Sequence, residues 1–236
     1  MTRGTADSFT NRNDQAPIFA VSRLRMGTDG EGITTLVAFM GCPLRCKCCL
    51  NPKCHEPVFR EDGKTPNDGI MLLTPRELYE QVRIDNIYFQ ATGGGICFGG
   101  GEPTMYVEFI KAFKNICGGR WKITLETSLR CSYAAISRLS DVVDHWIVDV
   151  KSMDESICEK YTGCRSAMDQ LLFSLNRLVP NDRVTIKVPR IEGFNDDYDL
   201  EGDVKWIRQR FGFPDVKTIR YVNPADRNNK KHNSHE

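Results

Sequence analysis

Three cysteines stand close together early in the chain, at Cys42, Cys46 and Cys49, in a C-x3-C-x2-C spacing. Short spacings of this kind let one loop direct several thiolates at a single metal centre. On a [4Fe–4S] cluster, three protein ligands leave one iron with an open coordination position, which a catalytic metal needs. The spacing is therefore typical of a catalytic iron–sulfur site.

The same cysteines leave a second interpretation open. Zinc also uses short Cys spacings, and a zinc site could combine the triplet with Cys54 or His55. Cys48 lies beside Cys49 and could substitute for it. The chain has ten cysteines, and in a reducing compartment clustered cysteines more often bind metal or do redox chemistry than form disulfides.

Other residues further along the chain could bind a ligand. The run from Gly99 to Pro103 contains Gly100, Gly101 and Glu102, and glycines let the backbone approach a ligand closely. Taken alone, this run also fits a tight strand-to-helix turn. The remaining candidates, each of which alone also fits an ordinary solvated side chain, are Glu126, Thr127, Asp149, Lys151, Lys187 and Asn223.

Alternating strand and helix signals predict the elements that carry these residues. Buried or alternating apolar runs predict six strands, at 34–40, 95–98, 121–125, 145–150, 184–188 and 218–222. Helical apolar spacing and capping residues predict helices near 75–85, around 109–113, and at 133–139, 171–178 and 200–211. The predicted order is a repeated strand-then-helix unit.

Six such units with right-handed crossovers predict an α/β fold, a single-domain partial (βα)6 TIM-like barrel of parallel strands. Functional residues of such barrels follow the carboxyl ends of the strands. The first four predicted strands are followed, in order, by Cys42, Glu102, Glu126 with Thr127, and Lys151, while Lys187 ends the fifth strand and Asn223 follows the sixth. This joint placement favours one shared site over unrelated surface residues.

Length and composition indicate an ordinary globular protein. The 236 residues are 40% hydrophobic and 27% charged, with a net charge of +1, so nothing favours a nucleic acid or membrane partner. The polar N-terminus lacks a signal-peptide core, and no apolar run reaches the roughly 20 residues of a membrane span. We expect a cytoplasmic protein with a mobile leader at 1–16, one domain at 17–225 and a polar tail at 226–236.

The cysteine spacing after a first barrel strand resembles the radical S-adenosylmethionine (SAM) superfamily. The wider match is to its glycyl-radical-enzyme activases, the family of pyruvate formate-lyase activating enzyme. The segments that carry the resemblance are 29–35, 41–46, 51–52, 93–95, 99–103, 149–151 and 188–196. The chain departs from the family pattern at Glu31, Thr34, Cys48, Lys187 and Glu192.

The resemblance implies two cofactors and a role for each candidate. Cys42, Cys46 and Cys49 would hold a [4Fe–4S] cluster, and its open iron would bind SAM. The Gly-Gly-Glu motif would contact the SAM ammonium group, and Lys151 would hold the methionine carboxylate. The other implied contacts are Glu126, Thr127 and Asp149 near the ribose or a bound monovalent cation, Asn223 at the adenine, and Lys187 in the same SAM site.

The resemblance also implies a reaction and partners. The reduced cluster would cleave SAM to methionine and a 5′-deoxyadenosyl radical, which would take a hydrogen from a glycine of a partner glycyl radical enzyme. Some activases insert a second cluster domain between the two motifs, but only Cys54 and Cys97 lie there in this chain. We therefore expect flavodoxin or ferredoxin as the electron donor, and a monomer that works under anaerobic conditions.

Two other functions stay open at this point. One is a radical SAM enzyme that acts on a small molecule, similar to 7-carboxy-7-deazaguanine synthase. The other is a non-enzymatic zinc or iron–sulfur binding protein. The doubled glycine motif and the segment at 29–35 favour the activase.

Overall fold

The structure, a computed structural model, describes residues 14–178 and 181–220. Its strands are β1 Ala16–Met26, β2 Ile33–Phe39, β3 Met71–Leu73, β4 Gly95–Gly100, β5 Lys122–Thr127, β6 His145–Asp149, β7 Val184–Arg190 and β8 Asp215–Arg220. Its α-helices are α1 Pro75–Val82, α2 Asn86–Thr92, α3 Val107–Cys117, α4 Tyr133–Ser140, α5 Glu155–Thr162, α6 Ala167–Leu175 and α7 Leu200–Phe211.

The strands form one sheet in the order β3-β1-β2-β4-β5-β6-β7-β8. Every neighbouring pair from β2 to β8 is parallel, and at least one helix lies between successive parallel strands in the chain. The first five residues of β4 are all buried, as expected for a parallel strand covered on both faces. The predicted α/β fold with six parallel strands is confirmed.

Two strands extend the sheet beyond the prediction. β1 pairs antiparallel with β2, and the short β3 pairs antiparallel with β1. The second half of β1 is largely exposed, so its sequence lacks the buried apolar run that marks the parallel strands. β1 begins at Ala16, the last residue of the predicted leader. Most of that leader, and the whole predicted tail, lie outside the described residues.

Helix α1 begins where the sequence predicts. Thr74 accepts a hydrogen bond from the Glu77 backbone N–H at 3.2 Å, and the Glu77 carboxylate accepts one from the Thr74 N–H at 2.8 Å. This reciprocal capping box satisfies two N–H groups that the first turn leaves free. Leu78 and Val82 share one face and are fully buried. The predicted helical segment 75–85 ends in a short 3-10 turn.

Two helices, α2 and α5, were not predicted. Asp154 caps α5 by accepting a hydrogen bond from the Ile157 N–H at 2.8 Å. The short, weakly apolar sequence of α5 gives little helical periodicity. Strand β8 begins at Asp215, three residues before the predicted start at 218, and residues 221 and 222 of that prediction lie outside the described part.

Candidate active site

The segment after β2 that carries the cysteine motif is held by backbone hydrogen bonds on two sides. On one side the Glu102 N–H donates to the Gly41 carbonyl at 2.8 Å. On the other, Arg45 and Lys47 donate to the carbonyls of Thr162 and Tyr161, at 2.9 and 3.0 Å. The segment, residues 41–50, is called the cysteine loop here. It is fixed between the end of β4 and the end of α5.

The three cysteine thiols of the predicted triplet are free and partly buried. Burial raises the pKa of Cys42 to about 11, and the nearby Glu102, Cys46 and Cys49 add to that rise. Burial also raises the pKa of Cys46, and the neighbouring Lys151 ammonium opposes this effect. Cys42 and Cys46 pack against a small apolar cluster of Leu44, Cys158 and Ala167.

This donor set fits an iron–sulfur cluster. Iron in such clusters is bound by thiolates, and the loop brings three of them into one partly buried region beside a cation. Binding a metal removes the thiol protons, because the metal competes for the thiolate form.

Glu102, the acid of the Gly-Gly-Glu motif, is 1% exposed and accepts hydrogen bonds on both carboxylate oxygens. Thr104 donates to one oxygen through its N–H at 3.2 Å and its hydroxyl at 2.7 Å, and the Thr127 hydroxyl adds a bond of 2.6 Å. Ser128 donates to the other oxygen through its N–H at 3.0 Å and its hydroxyl at 2.6 Å. The carboxylate therefore ties the end of β4 to the end of β5.

Two ion pairs lie on strands β5 to β7 and just after β6. Lys151 contacts Asp149 at 2.9 Å, and Lys187 contacts Glu126 at 3.1 Å. Burial alone would lower the pKa of Lys151, but the carboxylate of Asp149 raises it above the ordinary 10.5. Burial, together with Asp149, raises the pKa of Glu126, and Lys187 partly offsets this. The two pairs therefore share one electrostatic environment.

Lys187 does not end its strand, contrary to the prediction. β7 continues for three residues to Arg190, since its last residues pair with β8. Lys187 is instead the register partner of Asp149, which ends β6. Its ammonium still reaches Glu126 and donates to the Thr28 carbonyl at 3.2 Å. The strand is longer because residues 188–190 continue the parallel pairing with residues 218–220 of β8.

The structure distributes the other predicted residues in two groups. Gly100, Gly101 and Thr127 lie with Glu102 at the adjoining ends of β4 and β5. Glu126, Asp149, Lys151 and Lys187 lie with the ion pairs on β5 to β7. Asn223 falls outside the described residues.

Sequence reasoning missed several residues that support the site. Thr104 and Ser128 hold Glu102, and Arg25 forms an ion pair with the buried Asp29. The Asp29 charge contributes to the raised pKa values of Glu126 and Lys187. The signal for Thr104 was its position two residues after Glu102. Asp29 lies in the segment 29–35, whose residue pattern indicates the family but does not by itself indicate a charged site.

Comparison with known proteins identifies the superfamily. The sequence model of the radical SAM superfamily matches residues 36–198, which include the cysteine loop, the glycine motif and both ion pairs. The chain belongs to the radical SAM superfamily. Members of this superfamily use a [4Fe–4S] cluster and SAM. The prediction of these two cofactors is therefore confirmed by membership of the superfamily.

Similar proteins indicate one group of enzymes within the superfamily. The (2S)-3-sulfopropanediol dehydratase activating enzyme of Klebsiella oxytoca is 27% identical, over 86% of this chain and 80% of that protein. The pyruvate formate-lyase 2-activating enzyme of Escherichia coli is 29% identical, over 78% and 70%. Both are activating enzymes of glycyl radical enzymes, so the predicted resemblance is confirmed.

A solved structure supports the fold alone. A radical SAM methyltransferase from Sphaerobacter thermophilus superposes with a TM-score of 0.55 at 18% identity, covering 85% of this chain and 66% of that chain. In the described residues, no helix is both long and apolar enough to cross a membrane.

Proposed function

We propose that this chain is a radical SAM activating enzyme that installs a glycyl radical on a partner enzyme. The observation that carries the proposal is the convergence of three motifs at one edge of the sheet. These are the cysteine loop after β2, the Gly-Gly-Glu turn after β4 and the Asp149–Lys151 pair after β6. The similarity to several activating enzymes supports the same function.

Cys42, Cys46 and Cys49 would hold the [4Fe–4S] cluster. When bound and reduced, the cluster supplies the electron that cleaves SAM to methionine and a 5′-deoxyadenosyl radical. The loop's own contribution is to fix the three thiolates, because its backbone is hydrogen-bonded to two separate elements. Cys48 is also partly buried and lies in the same loop, but we assign the third ligand to Cys49 on spacing.

Glu102 would help to bind SAM indirectly, by holding the glycine turn in place. Its two carboxylate oxygens already accept five hydrogen bonds, which is about the full acceptor capacity of a carboxylate. We therefore assign the contact with the SAM ammonium group to the backbone carbonyls of the glycine turn, Gly100 and Gly101. Glu102 and Thr127 hold that turn in place.

Lys151 would bind the methionine carboxylate of SAM. Its ammonium is mostly buried, and its positive charge lies near Cys46, where a SAM bound at the cluster must place its charged groups. Glu126, Asp149 and Lys187 would line the site of the SAM ribose. The two carboxylates could also bind a monovalent cation there. We assign the contact with the adenine of SAM to Asn223.

The proposed partners follow from this chemistry. The substrate is a glycyl radical enzyme, and the electron donor is an external flavodoxin or ferredoxin. We propose that the chain is monomeric, and that it works in the cytoplasm, where thiols stay reduced.

The experiment is anaerobic activation of a glycyl radical enzyme. Protein reconstituted with iron and sulfide is mixed with SAM, dithionite and a pyruvate formate-lyase-type enzyme, and the glycyl radical is recorded by electron paramagnetic resonance. We expect a radical signal that disappears when the target glycine is replaced by alanine. Cleavage of SAM with radical transfer to a small molecule and to none of a panel of glycyl radical enzymes would contradict the proposal.

A further inference from the structure

A second group of metal-binding side chains overlaps the cysteine loop. The ligand atoms of Cys49, Cys54 and His55 all lie within 4.8 Å of one another. We call this group the Cys49–His55 triad. It shares Cys49 with the triplet of Cys42, Cys46 and Cys49, but it does not contain the other two.

The fold places the triad by backbone contacts that do not depend on a metal. Pro52 begins a 3-10 turn that ends at His55, and the Cys54 N–H donates to the Asn51 carbonyl at 3.0 Å. The Cys54 carbonyl accepts from the Gly41 N–H at 2.7 Å, which fixes the turn against the start of the cysteine loop. Cys54 is 2% exposed, whereas His55 and Cys49 are partly exposed and leave a path for an ion.

The chemistry of the triad suits a tetrahedral divalent metal. Two thiolates and one imidazole are the donor types that zinc prefers, and three protein ligands leave a fourth position for water or another donor. The sulfur atoms of Cys49 and Cys54 and a ring nitrogen of His55 lie close enough for one ion to contact all three.

We propose that the Cys49–His55 triad is a second metal site, for Zn²⁺ or a similar divalent ion, and that its occupation competes with assembly of the [4Fe–4S] cluster. The competition part rests on the proposed function, because it requires Cys49 to be a cluster ligand. A metal held by the triad withdraws one of the three thiolates that the cluster needs. The cysteine loop would then have two exclusive metal-bound states.

The first test measures metal binding alone. Full-length protein without its cluster is reduced and kept anaerobic, and Co²⁺ is titrated as a spectroscopic probe, followed by Zn²⁺ competition against a chromophoric chelator. We expect thiolate-to-cobalt charge-transfer bands and the strong visible bands of tetrahedral cobalt. His55→Ala should weaken Zn²⁺ binding by at least roughly 10–100-fold, the loss typical of disturbing even an outer partner of a metal ligand.

Matched variants separate the two sites. Cys46→Ser should leave Zn²⁺ affinity near that of the wild type and abolish the cluster. His55→Ala should do the reverse, with weakened Zn²⁺ binding and retained cluster absorbance after reconstitution, and Cys49→Ser should impair both. Circular dichroism of each variant checks that the fold is retained. If His55→Ala misfolds, Cys54→Ser provides the same comparison.

The second test measures competition. Protein preloaded with one equivalent of Zn²⁺ should gain cluster absorbance more slowly during reconstitution than metal-free protein, and His55→Ala should remove the difference. Equal Zn²⁺ affinity in the wild type, His55→Ala and Cys54→Ser would overturn the second site. Tight Zn²⁺ binding with unimpaired cluster assembly would overturn the competition. A Zn²⁺ site in a protein that never binds a cluster would refute the proposed function and leave the second site standing.

Discussion

Glu102 shows how a single buried carboxylate can organise a site that it need not contact. Five hydrogen bonds reach it from three residues at two strand ends. An amide in its place would keep the shape but turn one acceptor oxygen into a donor. Backbone N–H groups of Thr104 and Ser128 face the two oxygens, so one of them would meet another donor.

Glu102→Gln is therefore expected to destabilise the protein by about 1–3 kcal/mol, the cost of leaving a buried polar group unsatisfied. Urea unfolding of the anaerobic protein measures this, and SAM affinity should fall with it because the glycine turn loses its anchor. Glu108→Gln, at an exposed residue of α3 paired with Arg138, is the control. Equal stability of the two variants would show that the network does not hold the turn.

Lys151 carries the clearest prediction about SAM itself. Lys151→Met keeps a long apolar side chain but removes the ammonium beside Asp149. A hydrogen bond to a charged group contributes about 1.5–3 kcal/mol, so SAM should bind roughly 10–100-fold more weakly. Isothermal titration of the cluster-loaded protein measures the affinity. Lys160→Met, on α5, is the control, and an unchanged SAM affinity in Lys151→Met would exclude the assigned contact.

At the scale of elements, β4 and the cysteine loop pack backbone against backbone. A Cβ atom on Gly101 would lie 2.0 Å from the Gly41 carbonyl oxygen, and the Gly101 N–H donates to the Phe39 carbonyl at 2.9 Å. An alanine at this position would push the glycine turn away from the loop. The glycine is therefore required by the approach of two elements.

Gly101→Ala should lower the free energy of unfolding by about 1–3 kcal/mol, the usual cost of overpacking, and should weaken both cluster retention and SAM binding. Gly119→Ala is the matched control, because a Cβ there meets no atom within 4 Å, and it should stay within about 0.5 kcal/mol of the wild type. Thermal unfolding of both variants measures the difference in stability. Similar transition temperatures would show that the two elements do not need this close approach.

The elements that sequence reasoning found are those with strong local signals. The capping box of α1 and the buried runs of the parallel strands need only neighbouring residues for their interpretation. β1 was missed because its pairing with β2, and not its own pattern, defines it. Likewise the cysteine spacing is local, whereas the partners of Glu102 on the β5 side lie 25 and 26 residues away. Such partners can be recognised only in the folded structure, where the ends of β4 and β5 lie side by side.

At the scale of the whole molecule, the net charge of +1 hides local asymmetry. Lys47 of the cysteine loop and Lys160 of α5 both lie over the ring of Phe194, at 6.0 and 5.5 Å. They place positive charge on the surface beside the cysteines. An acidic electron donor that docks close to the cluster would meet these two lysines.

Lys160→Glu should slow reduction by flavodoxin or ferredoxin by roughly 10-fold at low salt, the lower end of electrostatic steering effects, and added salt should shrink the difference. Stopped-flow reduction of the cluster measures the rate. Lys205→Glu changes the same charge on α7 and should have less effect. A rate that falls equally in both variants would indicate that the donor docks elsewhere.

We propose above all that this protein cleaves SAM, with a [4Fe–4S] cluster bound by Cys42, Cys46 and Cys49. The most direct measurement is 5′-deoxyadenosine formed by the reconstituted protein with SAM and dithionite, separated by chromatography. The wild type and Cys48→Ala should form 5′-deoxyadenosine, and the alanine variants of the three ligands should form none. If the wild type holds a four-iron cluster but forms no 5′-deoxyadenosine even with a glycyl radical enzyme present, or if it binds only zinc, the account is contradicted.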